Sequence, residues 1–189
     1  MLGWIVTLTI AVVAVYAAVI FNRLVRTRQM ANEAWSGIDV QLKRRSDLVP
    51  NLVEAVKSYA AHERGVLEEV TQLRGQVRAL PSGDINARAQ AEGALSAALG
   101  RLIAVAENYP NLKASENFLA LQQELAKLET DIEMARRYYN GAVRNQNVLV
   151  QSFPSNLIAA LFGFTQREYF EISDQADRMV PQVALQATR

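Results

Sequence analysis

The chain lacks cysteine and contains a single histidine among its 189 residues. Disulfides, thiolate metal sites and thiol nucleophiles are therefore excluded. The lone His62 cannot supply the paired Glu-x-x-His units of a di-iron bundle or the His-Glu-x-x-His zinc pattern, so we expect no metal and no cofactor. Proline and glycine are scarce, at five and nine residues, and no strand-like alternation persists. These absences favour an all-α fold.

An excess of charge of either sign is also missing. The formal net charge is +1, and no basic stripe is interleaved with aromatic residues, so we do not expect nucleic acid as a partner. The chain has neither a Gly-rich phosphate loop nor a Gly-x-Ser-x-Gly elbow. Because these catalytic patterns are missing, we predict no catalytic residues and a protein that is not an enzyme.

What the chain does have is an apolar N-terminus. Residues 2–21 carry no charged side chain, and about 20 helical residues cross the roughly 30 Å hydrocarbon core of a bilayer. A cleaved signal peptide is the alternative, but it would begin with basic residues and end at a small-x-small site, and neither is present. We therefore predict a membrane anchor at residues 1–22. Its anchoring side chains and flanking charges are predicted to be Trp4, Tyr16, Phe21, Arg23, Arg26 and Arg28.

Basic residues set the expected orientation of this anchor. Arg23, Arg26 and Arg28 follow the apolar run directly, and three more basic residues occupy positions 43–45. The positive-inside rule then places the rest of the chain on the cytoplasmic side of a bacterial inner membrane. The three arginines also lie where anionic headgroups attract them, by about 1 kcal/mol each.

Four stretches of helical apolar periodicity follow and predict an antiparallel up-and-down four-helix bundle over residues 23–164. The first is expected to break or kink at Val49, because the following Pro50 disfavours a helical residue before it. The predicted later helices are 56–80, 85–106 and 118–149, with Asp84 and Ser115 as caps. The regular seam of the last helix is also compatible with a coiled coil between chains.

Three polar residues interrupt the apolar positions of these helices. Glu63 and Glu92 occupy core-like positions, which predicts either carboxylates that are paired with other side chains or lie at the bundle edge, or a buried polar network or proton-sensitive site. Gln146 interrupts the seam of the last helix, and such a residue commonly fixes the register of a bundle.

Residues 153–164 (FPSNLIAALFGF) form a second apolar stretch with two interpretations. A short helix with Pro154 at its first position would fold back and close the bundle. Alternatively, the stretch dips into the membrane or contacts another subunit. The side chains singled out for such a contact are Leu157, Ile158, Leu161, Phe162 and Phe164. Residues 165–189 are expected to form an extended arm or a tail.

Five blocks in the chain resemble the LemA family of bacterial membrane proteins. They are residues 34–45 (AWSGIDVQLKRR), 47–63 (DLVPNLVEAVKSYAAHE), 107–114 (ENYPNLKA), 135–147 (ARRYYNGAVRNQN) and 153–164. The resemblance extends from residue 2 to about residue 170 and implies an anchored helical bundle. It also implies relatives linked to magnetosome membranes or to membrane metalloproteases. The family offers no established catalytic residues to carry over.

Two functions fit these observations. The first is a non-enzymatic, membrane-anchored scaffold or adaptor that self-associates and engages the bilayer and other membrane proteins, a membrane protease being one candidate. The second is a membrane-tethered sensor of a small ligand or of stress, using the polar core positions Glu63 and Glu92.

Overall fold

The computed structural model describes residues 2–81 and 83–171. Within these ranges the chain forms helices and no strands, as predicted. The helices are α1 (Leu2–Lys57), α2 (Arg64–Ala79), α3 (Ile85–Ala106), α4 (Pro110–Lys113), α5 (Glu116–Gln151) and α6 (Ser155–Leu161). Helices α1, α2, α3 and α5 form the up-and-down bundle that the sequence predicts, and α4 is one turn inside the connection before α5.

Helix α1 is continuous from the apolar N-terminus into the bundle, so of the two alternatives predicted at Val49, a break or a kink, the break is wrong. Pro50 lies inside the helix, which ends only at Lys57. A proline has no N–H to give to the carbonyl four residues earlier, here that of Ser46. Arg74 Nε on α2 donates to this Ser46 oxygen at 2.6 Å. The helix therefore passes the proline because a neighbouring helix satisfies the carbonyl that the proline leaves free.

Three apolar clusters hold the helices together. At the end far from the N-terminus, the last turns of α1 pack with α2, α3 and the start of α5 through Leu52, Val70, Leu102 and Leu128, among others. In the middle, α1 packs against α5 through Ile38, Leu42, Ile132 and Tyr139. A third cluster joins Ile20 and Leu24 of α1 to Ala159 and Phe164. Helices α1 and α5 are therefore antiparallel over the whole bundle.

The predicted helix starts are only partly confirmed. Asp84 caps α3, since its Oδ1 accepts from the Ala87 N–H at 2.9 Å. Ser115 occupies the N-cap position of α5, but its side chain makes no capping hydrogen bond to the described residues. Pro154 is the N-cap of α6 rather than its first helical residue, one position earlier than predicted. After α6, Gly163 has φ of +70°, a conformation that favours glycine, and turns the chain so that Phe164 packs on α1.

Candidate functional site

The N-terminal part of α1 projects beyond the bundle. Among the described residues α1 is the one helix long and apolar enough to cross a membrane, with a mean hydropathy of 2.5 over its most apolar window and no residue of that window buried in the structure. Trp4 and Tyr16, two of the predicted anchor residues, are exposed there, and Ile20 is the first buried side chain. The helix therefore changes surroundings at Ile20, close to the predicted anchor boundary at residue 22.

A cluster of aromatic and aliphatic side chains lies where α1 enters the bundle, and we call it the junction cluster. It consists of Ile20, Phe21, Leu24, Ala159, Phe162 and Phe164. The ring centroid of Phe21 lies 4.7 Å from that of Phe162 and 5.9 Å from that of Phe164. The guanidinium of Arg28 lies over the Phe164 ring at 4.8 Å, a cation–π contact. The junction cluster fixes α6 against the first turns of α1 that enter the bundle.

Helix α6 has an inner face on the bundle and an outer face that the bundle leaves free. Of the predicted contact residues, Phe164 is buried and Ile158 is half-buried, both against α1. Closure of the bundle by a short helix is thus confirmed for the inner face. The other three, Leu157, Leu161 and Phe162, are 60%, 75% and 55% exposed. With Phe153, which is 80% exposed, Leu157 and Leu161 form the outer face of α6, whereas Phe162 contacts Phe21 with one side of its ring.

A network of ion pairs crosses the middle of the bundle, and we call it the core ion network. Arg45 of α1 is fully buried and donates from Nη2 to Glu92 Oε2 at 2.5 Å and from Nη1 to Glu129 Oε1 at 2.7 Å. Its Nη1 also contacts Ser96 Oγ. Arg88 Nε donates to the second oxygen of Glu92 at 2.9 Å, and Arg88 Nη2 lies 3.3 Å from Asp39. One guanidinium thus links α1, α3 and α5.

Electrostatics keep Arg45 charged within this network. Burial alone would lower the pKa of Arg45, but the attraction of Glu129 and Glu92 outweighs burial, so the pKa of Arg45 is raised above its ordinary value. The charges comprise two guanidinium groups and three carboxylates, and both oxygens of Glu92 are occupied by arginines. This arrangement holds three helices in one register, and Glu92 is paired within the protein, one of the two outcomes that its core position predicts.

Glu63, the other predicted polar core residue, lies elsewhere. It precedes α2 in the turn at the far end of the bundle, is partly exposed, and accepts from the Tyr109 hydroxyl at 3.2 Å. Neighbouring His62 is exposed. Glu63 and Glu92 therefore do not form one site.

A clasp that was not predicted from the sequence holds residues 165–171 as an extended arm along the bundle. The side-chain amide of Asn147 donates to the Arg167 carbonyl at 2.9 Å and accepts from the Arg167 N–H at 2.8 Å. Asn140 makes the same pair of bonds to Phe170, at 3.2 and 2.9 Å. Two asparagines seven residues apart on one helix face are the signal that would have found this arrangement.

Further contacts fix the side chains of the arm. The Tyr139 hydroxyl donates to the Glu168 carbonyl at 3.0 Å, and burial raises the pKa of Tyr139, so the phenol keeps this donor proton to higher pH than an ordinary tyrosine. Gln146 donates to the Thr165 carbonyl at 3.3 Å, so this seam residue positions the arm. Phe170 is fully buried, with its ring 5.6 Å from that of Trp35. Part of the predicted arm is therefore packed on the bundle, and residues 172–189 lie outside the described residues.

A groove of about 450 Å³ runs between α1 and α5 on the outside of the bundle. Its lining consists of Arg44, Asp47, Leu48, Asn51, Glu124, Lys127, Leu128 and Asp131. Positive and negative side chains are mixed along it, which is typical of a solvated surface rather than of a site for one charged ligand. In the described ranges no group of three or more histidine or acidic side chains is placed to hold a metal ion.

Comparison with known proteins agrees with this architecture. The chain is 26% identical over 194 residues to magnetosome protein MamQ 2 of Paramagnetospirillum magneticum, covering 89% of this chain and 71% of that protein. It is 25% identical over 189 residues to magnetosome protein MamQ of Magnetospirillum gryphiswaldense, with 86% and 70% covered. Protein LemA of Metamycoplasma hominis is 25% identical over 153 residues, which cover 81% of this chain and 69% of that protein.

The model of the LemA family matches residues 34–185. This match includes residues 34–57 of α1, the core ion network, the asparagine clasp and α6. Because it extends over more than half of the chain, the protein belongs to the LemA family, as the sequence blocks predict.

Proposed function

We propose that this protein is a non-enzymatic scaffold, anchored in a bacterial inner membrane by α1, that self-associates and presents its bundle to other membrane proteins. The observation that carries the proposal is the continuity of α1, a single helix of 56 residues. A helix of this length spans about 84 Å at 1.5 Å per residue. No loop separates the apolar segment from the bundle, so the bundle is held in a fixed direction relative to the anchor.

The use of the polar side chains supports a structural rather than a catalytic role. Arg45, Glu92 and Arg88 are paired with one another inside the bundle. The amides of Asn140 and Asn147 are occupied by the arm. These polar side chains are therefore engaged in holding the fold.

We assign self-association to a seam on the outside of α5. Positions 134, 138, 141, 145 and 148 alternate steps of four and three residues, the spacing of a coiled-coil seam. Met134, Tyr138 and Val148 on this seam are 52%, 58% and 54% exposed, and a Cβ added at Gly141 would meet no neighbouring atom. A seam with this spacing is complementary to another helix, so a second copy of the chain is the occupant we propose.

Cysteine cross-linking in native membranes tests this contact, because the chain has no cysteine of its own. Tyr138→Cys is expected to give a disulfide-linked dimer under mild oxidation. Leu119→Cys is the matched control, since Leu119 is an exposed apolar residue of α5 outside the seam. Equal cross-linking of the two variants would remove the seam from the proposal. The absence of cross-linking both in Tyr138→Cys and in cysteine variants of the other seam positions would also remove it.

The sensor hypothesis has weaker support. Both carboxylate oxygens of Glu92 are occupied by arginines, and Glu63 lies at the far end of the bundle. A ligand would have to displace Arg45 or Arg88 to reach Glu92. A metabolite that raises the melting temperature of the wild-type protein, and no longer does so in Glu92→Gln, would favour the sensor over the scaffold.

A further inference from the structure

We propose that the outer face of α6 inserts into the interfacial layer of the bilayer, beside the point where α1 leaves the membrane. The face consists of Phe153, Leu157 and Leu161, and the occupant that we assign to it is lipid. The proposal rests on the anchoring of α1 that the proposed function includes. It adds a second, non-spanning contact between the bundle and the membrane.

The depth of α6 follows from its contacts with α1. Phe21 is the last residue of the uncharged run, and its ring lies 4.7 Å from that of Phe162. Ala159 and Phe164 pack with Ile20 and Leu24 on the turns around it. A helix fixed to the final turn of a membrane-spanning segment lies at the boundary between acyl chains and headgroups.

The chemistry of the face suits that depth. Residues 152–164 contain no charged side chain. Phe153, Leu157 and Leu161 follow one another at four-residue spacing and are among the most exposed apolar side chains outside the N-terminal half of α1. Short apolar faces of this kind enter roughly 5–10 Å into the boundary between headgroups and acyl chains.

Two exposed arginines lie at the same depth along α1 as α6, and their positive charge also favours lipid as the occupant. Arg23 and Arg26 are exposed on the turns that follow Phe21, where they reach anionic headgroups. Together with Asn22, Thr27 and Met30 they line a shallow concave surface on α1. Apolar side chains on one side of α1 and arginines on the other form the usual profile of a protein surface at a membrane interface.

The experiment measures lipid contact in the full-length protein. Leu157→Cys and Leu161→Cys are labelled with the environment-sensitive fluorophore NBD. Each variant is reconstituted at one chain per nanodisc of phosphatidylcholine and phosphatidylglycerol; the nitroxide is near the carbonyl end of an acyl chain for positions 157, 161 and 119, and near the methyl end for position 12, which lies deeper in the bilayer. Val12→Cys in the apolar half of α1 reports on the anchor, and Leu119→Cys at the far end of α5 is the exposed control. Unaltered helical circular dichroism and melting establish that each labelled protein is folded.

We expect the nitroxide to remove most of the NBD emission at positions 157 and 161 and at the anchor position, and little at position 119. Quenching at position 12 without quenching at 157 or 161 would overturn the inference and leave the anchor intact. Absence of quenching at position 12 would overturn both the inference and the anchored scaffold. A further outcome is NBD emission at positions 157 and 161 that is unquenched in single-chain discs, from probes that become shielded from water when several chains share a disc. That result would make α6 a contact between subunits and the lipid assignment wrong.

Discussion

At the centre of the bundle, the guanidinium of Arg45 is shared between Glu92 of α3 and Glu129 of α5. The sequence singles out two residues of this network: Glu92 as a carboxylate at a core position, and Arg45 as one of the three basic residues at positions 43–45. Their pairing was not visible, because the two residues lie 47 positions apart. Periodicity reports which face of a helix is buried and not which residue of another helix it meets.

Removing Arg45 should destabilise the protein strongly. Arg45→Ala leaves Glu92 buried with one partner fewer, and breaking a buried pair in this way costs about 3–5 kcal/mol. Chemical denaturation followed by circular dichroism measures the loss. The control is Arg44→Ala, an exposed neighbour expected to change the free energy of unfolding by less than about 0.5 kcal/mol. Similar stabilities of the two variants would show that the core ion network does not hold the helices.

The asparagine clasp gives a second prediction for a single residue. Asn147→Ala removes both hydrogen bonds to Arg167, each worth about 0.5–1.5 kcal/mol, so the arm should detach locally while the bundle stays folded. Hydrogen exchange of the Arg167 amide is expected to speed up by roughly tenfold. Asn145→Ala, an exposed asparagine on the same helix, should leave the exchange rate unchanged. An unaltered Arg167 amide in Asn147→Ala would mean that other contacts hold the arm.

Among the elements, α1 departs most from what its sequence predicts. A proline within a helix normally indicates a break, and the break at Val49 was the natural expectation. The structure instead ends α1 at Lys57, and residues 58–63 form the turn before α2. Nothing local to Pro50 reveals this, because the compensating donor is Arg74, on the next helix and 28 positions from the Ser46 carbonyl that it satisfies.

This explanation predicts that the effects of Pro50 and Arg74 are coupled. Arg74→Ala leaves the Ser46 carbonyl without its partner and should cost about 1–3 kcal/mol. In a Pro50→Ala background the backbone N–H of residue 50 can bond that carbonyl, so Arg74→Ala should cost clearly less. A double-mutant cycle by chemical denaturation measures the coupling, and Arg78→Ala, an exposed arginine on α2, is the control. Additive effects would mean that Arg74 does not compensate for the proline.

For the molecule as a whole, the sequence predicted the helical class, the antiparallel order and the long apolar N-terminal helix correctly. These features depend on local periodicity and on a long uncharged run, both of which a single sequence displays. The closure by α6 was one of two interpretations, and the structure assigns Ile158 and Phe164 to it while leaving Leu157 and Leu161 exposed. The clasp around the arm was missed, because it depends on backbone groups of an irregular segment that has no periodicity.

The orientation of the molecule remains a prediction from Arg23, Arg26 and Arg28. If the bundle is cytoplasmic, a cysteine at exposed Ser36 should react with a membrane-impermeant maleimide only after the inner membrane has been permeabilised. Leu2→Cys, at the opposite end of the apolar segment, should react in intact spheroplasts. The reverse pattern would place the bundle outside the cytoplasm and remove a cytoplasmic partner from consideration.

The central claim is that the anchored bundle acts as a self-associating scaffold. The most direct test is the mass of the wild-type particle after gentle extraction from its own membrane, together with the identity of any protein that copurifies. We predict a homogeneous particle of several copies, with or without a defined second membrane protein. A particle with the mass of one chain, alone at every protein concentration, would contradict the scaffold.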